Sequence, residues 1–206
     1  PVIMDLPLMR GSEQPHAPHI AVAAKPWPGS VAVYGSSTED SGFALNTSLP
    51  QGAMIGVTET ALHRAKPGLM DRGAGVLVRF GTGAVSNAPP NALLHGANLV
   101  AIGDGSPSGW EIFQFARADV TAERVWSLRD RLRGQFGTDA MMPDEWPAGS
   151  LVVVLDGALR QLALDPSALG QLRYWRIGPA LRAVDDQSYR LRSTATRGAG
   201  LRPLSP

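Results

Sequence analysis

The sequence contains no cysteine, so disulfides and thiolate metal sites are excluded, and folding is independent of an oxidising compartment. It also lacks long apolar runs. None approaches the roughly 18 residues a membrane-spanning helix needs, and no secretory leader pattern stands at the start. Charge of one sign is missing too: 19 basic and 18 acidic side chains leave +1, without the clustered basic surface of a protein that wraps DNA. The one local excess of arginine, from Arg173 to Arg202, reads as a solvated exit segment. No nucleic-acid site and no membrane span are expected.

What is present is apolar content and punctuation. Apolar residues make up 44% and charged residues 18%, a globular balance over 206 residues that suffices for a real core. Gly 23 and Pro 17 break the chain often, because glycine supplies positive φ and proline removes a hydrogen-bond donor. Between the breaks lie short runs such as Ile20–Ala24, Val31–Tyr34, Met54–Thr60 and Leu172–Ile177. In Val76–Phe80 the even positions share one face, the period of a strand. Trp110–Phe115 alternates and has a partner in Val125–Leu128. Val152–Leu155 followed by Asp156-Gly157 reads as a hairpin with a type I′ turn, returning through Leu159 and Leu162. Asn91–Ala97 reads as a single helical turn.

No repeat and no strand–helix alternation is visible, which removes solenoids and parallel α/β sheets. The fold class expected is mainly β, an antiparallel β-barrel or β-sandwich with extended terminal segments. Residues 1–19 are expected as an extended leading segment, 20–165 as the β domain, and 166–206 as a last strand and exit segment towards a further β module. The start at Pro1 and the end Leu201-Arg202-Pro203-Leu204-Ser205-Pro206 are expected as cuts in a longer polypeptide.

A search for chemistry returns little. His16 and His19 form a His-x-x-His pair with no third ligand at a suitable spacing, so both are expected on the surface. His63 and His95 stand alone. Gly103-Asp104-Gly105 is followed by Pro107 and the strand-like Trp110-Glu111-Ile112, so it reads as a turn rather than a phosphate cradle. Glu39-Asp40 and Asp144-Glu145 are neighbours in polar loops, whereas acid–base catalysis needs carboxyls facing across a cleft. No Gly-x-Ser-x-Gly elbow occurs. Trp110 and Trp126 are expected in the core, and Trp27 and Trp146, each beside a proline, at loop corners. No catalytic residue, cofactor or metal is expected.

Two stretches go further. Residues 110–139, WEIFQFARADVTAERVWSLRDRLRGQFGTD, and upstream Asp5-Leu6-Pro7-Leu8 and Trp27–Tyr34, resemble blocks of phage tail-tip and baseplate-hub proteins. The likeness runs from Asp5 to Pro206 and is nearest to the large tail-tip, or host-specificity, proteins of alphaproteobacterial gene transfer agents. It implies a non-catalytic hub component of a virion-like particle, made in the bacterial cytoplasm. The implied partners are further copies in a homotrimer, other tail-tip and baseplate proteins, and a host surface glycan or receptor. A barrel domain resembling glycoside hydrolases is implied elsewhere in the parent chain. A cell-wall or surface-glycan hydrolase or binding module is the alternative. In the Arg-Gly-x-x-Gly-Thr block, Gly134 and Gly137 are expected at a bend requiring positive φ or close approach. Arg133 is expected to bond loop carbonyls or a nearby carboxylate.

Overall fold

A computed structural model describes residues 1–195. In chain order the strands are β1 (Val2–Met4), β2 (His19–Ala21), β3 (Val31–Ser36), β4 (Ala44–Leu49), β5 (Ile55–Thr58), β6 (Leu62–His63), β7 (Met70–Asp71) and β8 (Val76–Phe80). After a short helix α1 (Pro90–Leu94) come β9 (Leu99–Gly103), β10 (Glu111–Ala122), β11 (Val125–Leu132), β12 (Glu145–Trp146), β13 (Leu151–Val154), β14 (Arg160–Gln161), β15 (Leu172–Pro179) and β16 (Arg190–Ala195). The chain is mainly β, as its punctuated apolar runs predict.

It divides into two compact units, 53–156 and the remainder. The first is a closed antiparallel barrel. Its ring runs β10-β9-β13-β5-β8-β11, and β11 pairs back with β10 to close it. Alternation explains the filling: Val76, Val78 and Phe80 are at most 1% exposed, while Arg79 between them points out to Glu59. Val100, Ile102, Phe113, Phe115, Leu128 and Val152 complete a packed interior. Each such side chain contributes about 1.5–3 kcal/mol on burial. Phe80 and Trp126 meet edge to face at 5.7 Å. The expected β10–β11 hairpin forms with Gln114 opposite Leu132 and Val120 opposite Trp126. Trp110 and Trp126 are both core residues, 2% and 7% exposed.

The second unit is discontinuous. A three-stranded sheet, β1-β2-β14, and a four-stranded sheet, β16-β15-β3-β4, share one core of Ile3, Ile20, Val31, Val33, Leu162, Trp175 and Ile177. Trp27 caps a corner, donating its indole N–H to the carbonyls of Gly29 and Pro50. Gly178 lies under the Tyr189 ring, which a Cβ there would meet at 2.5 Å.

Three sequence expectations change. Asp156-Gly157 is not a hairpin turn: β13 pairs with β5 and β9, and β14 pairs with β2 in the other unit. The division falls at 53 and 156 rather than at 20 and 165, because β3 finds its partner in the distant β15. The leading segment is not merely extended chain. Ile3, Met4 and Leu6 are buried, and β1 pairs with β2. On the exit side, β16 pairs with β15 through Ala195, and residues 196–206 lie outside the described residues.

Candidate functional site

The most elaborate polar arrangement is built at one end of the barrel strands. Glu111 opens β10 on the same strand face as Phe113 and Phe115, and it is fully buried. Such a carboxylate must be matched by donors, since an unpaired buried charge costs several kcal/mol. Four donors converge on it. Arg133 Nε and Nη2 reach its two oxygens at 2.6 and 2.8 Å, Trp146 Nε1 donates at 2.7 Å, and the Gly134 N–H at 3.3 Å. The remaining Arg133 nitrogen donates to the His63 carbonyl at 2.8 Å, and the guanidinium lies 5.8 Å over the Phe113 ring. Both expected roles of Arg133, carbonyl and carboxylate binding, are met at once.

A second buried arginine extends the cluster. Arg131, 2% exposed, donates from Nε and Nη2 to Asp71 at 3.0 and 2.8 Å and from Nη1 to the Leu128 carbonyl. Arg133 also stands 3.7 Å from Asp71. Partial burial pushes the Asp71 carboxyl up, but the Gly73 N–H and the two guanidinium groups outweigh it and hold it below the usual aspartate range.

The bend after β11 is shaped by this network. Gly134 has φ +63°, and a Cβ on it would sit 2.7 Å from the Asp139 Cβ. Gly137 has φ +74° in open surroundings. Between them Phe136 takes φ +55° and stays 45% exposed. Thr138 fastens the bend to β10, its hydroxyl contacting the Ile112 N–H at 2.8 Å and the Gln135 carbonyl at 2.8 Å.

Other singled-out residues fall elsewhere. His19 is not on the surface: it is 3% exposed, with Nε2 3.2 Å from Glu13. It sits between Met4 of β1 and Gln161 of β14, inside a sheet whose apolar face forms a core. His63 pairs with Glu145 at 3.1 Å across β6 and β12, both side chains well exposed. Glu145 is thus a strand residue, not a loop one. His95 contacts the Asn91 carbonyl behind α1. Gly103-Asp104-Gly105 is a turn, with the Ser106 N–H bonded to the Asp104 carboxylate at 2.8 Å. Among the described residues no three His, Asp or Glu side chains gather in a metal-holding group.

Half-open clefts lie elsewhere among the described residues. One, of about 400 Å³, lies along Ile55–Val57, Arg79–Gly81 and Glu123–Arg124, and its Arg79 is already tied to Glu59. A further one, about 240 Å³, is lined by Arg176, residues 184–187, Tyr189 and Leu191. Sequence reasoning missed Glu111, Trp146, Arg131 and Asp71 as a set. The available signal was a lone charge inside the apolar run Trp110–Phe115, which has to be paired if the run is core.

The barrel is therefore a closed, side-chain-filled antiparallel domain braced by a buried carboxylate–arginine network. Nearly the same span, residues 53–153, matches the model of the domain family described as Rcc01698-like, C-terminal. No curated protein matches the chain.

Proposed function

We propose that this chain is a structural, non-catalytic component of a phage-like tail tip or baseplate hub. In this reading it serves assembly, the DNA-delivery conduit and host attachment, in a homotrimer of the gene transfer agent kind. One observation carries the reading. Two charged residues of the block that resembles tail-tip proteins, Glu111 and Arg133, are fully buried, bond each other and brace a bend rather than face solvent. A residue set that stiffens a loop suits a part that holds position in an assembly. In this reading any glycoside-hydrolase-like activity would lie in another domain of the parent chain.

Gold-labelled antibodies against residues 53–156, applied to purified particles, test the proposal. Label at the tail tip supports it, and particles that never carry the label overturn it. Turnover of cell-wall glycan by this chain alone would overturn the non-catalytic part and favour the hydrolase reading.

A further inference from the structure

The leading segment carries one buried titratable side chain that bracing of the barrel does not use. His19 is 3% exposed, and its Nε2 contacts Glu13 Oε1 at 3.2 Å. The other oxygen of the same carboxylate accepts the N–H groups of Met9 at 2.6 Å and Arg10 at 3.0 Å. Glu13 therefore ties the turn at residues 9–13 to strand β2 through a single imidazole. With Nε2 donating, the lone pair of Nδ1 is buried without a hydrogen-bond partner. We propose that Glu13 and His19 form an acid-released latch, which holds the turn at residues 9–13 against β2 near neutral pH and frees it on mild acidification.

Neutral imidazole suits this site and imidazolium does not. A proton on Nδ1 would place a second N–H, and a charge, in a position closed to water. The charges acting on the ring come from the leading segment. Glu13 and Asp5 favour protonation, Arg10 opposes it, and the burial penalty outweighs them. From β14 the register neighbour is the neutral Gln161, and the adjacent Arg160 bonds the Gly157 and Leu159 carbonyls. His16 acts on Asp165.

The sign follows. Burial lowers the folded-state pKa of His19 below its ordinary value near 6.5, so the opened segment binds the proton more readily. The closing energy is complete above that ordinary value and is lost as pH falls from it through the lowered folded one. Glu13 acts in the same direction further down. Burial raises its carboxyl, but the Met9 and Arg10 N–H groups and His19 lower it more.

Amide exchange of Met9 and Arg10 in the 206-residue chain, corrected for intrinsic rates, reads the latch between about pH 7.5 and about pH 5.5. Protection in the native protein should fall about tenfold for each pKa unit separating closed and open states. His19→Gln retains an N–H for Glu13 and does not titrate, so its protection should stay flat. Protection that holds to about pH 5.5 in the native protein, or that falls equally in His19→Gln, overturns the proposal. If His19→Gln does not fold, the ring's own NMR titration decides. A midpoint at or above about 6.5 rules the latch out.

Discussion

Trp146 Nε1 lies 2.7 Å from Glu111 Oε2, the oxygen that Arg133 Nη2 contacts at 2.8 Å. One carboxylate thus joins three segments of the barrel unit: the start of β10, the end of β11 and β12. The indole is held by its ring in the core and by its N–H at the network.

Glu111→Gln keeps the shape and removes the charge, leaving Arg133 buried with Asp71 at 3.7 Å as its nearest carboxylate. A loss of about 3 kcal/mol is expected, read from the urea midpoint. Glu111→Leu combined with Arg133→Met should cost far less than the two single changes added. An additive result would mean the pair is not coupled.

The two glycines of the bend separate strain from crowding. Gly137→Ala meets no neighbour and carries only its positive φ, a cost of about 1 kcal/mol. Gly134→Ala carries the same cost and also forces Cβ to 2.7 Å from the Asp139 Cβ, so a loss of roughly 2–3 kcal/mol is expected. Equal melting temperatures for the two variants would contradict this geometry.

Asp71 sets an acid limb. Its folded pKa is lowered, so its contribution is complete above about pH 3.9 and drains as pH falls through the lowered value. Asp71→Asn should destabilise the protein at neutral pH, since the buried Arg131 loses its carboxylate and a single amide oxygen must serve both it and the Gly73 N–H. It should also flatten the decline of stability between about pH 4 and about pH 2, measured by denaturant titration.

The barrel has its own core and closes its own hydrogen-bond ring. Its two ends also meet, since the Val154 N–H bonds the Met54 carbonyl at 3.0 Å. Residues 53–156 expressed alone are expected to give a β-type circular dichroism spectrum and one cooperative melting transition. A spectrum of unfolded chain would show that closure does not suffice.

Local pattern carried part of this structure and stopped where partners lie far apart. Val76–Phe80 and the β10–β11 pair were legible because alternation and a nearby return strand agree. Arg133 was legible as a residue seeking a carboxylate, but not its choice of Glu111, which 22 positions and a fold away nothing local marks. Asp156-Gly157 has hairpin chemistry, yet tertiary pairing sends β13 and β14 to different sheets. His19 reads as a polar residue beside prolines. Its burial arises from β1 and β14 on either side, and β14 lies more than a hundred residues away.

The register of β3 against β15, Val31 opposite Pro179, has a meaning for how the chain is made. On the ribosome, β3 and β4 emerge with one flank of their sheet unfilled. Every strand of the barrel is available once Val154 has appeared, so the middle of the polypeptide closes before its beginning does. At 5–20 residues per second, β3 waits on the order of ten seconds for β15. Until then Val31 and Val33 depend on whatever shelter the cell gives a nascent chain.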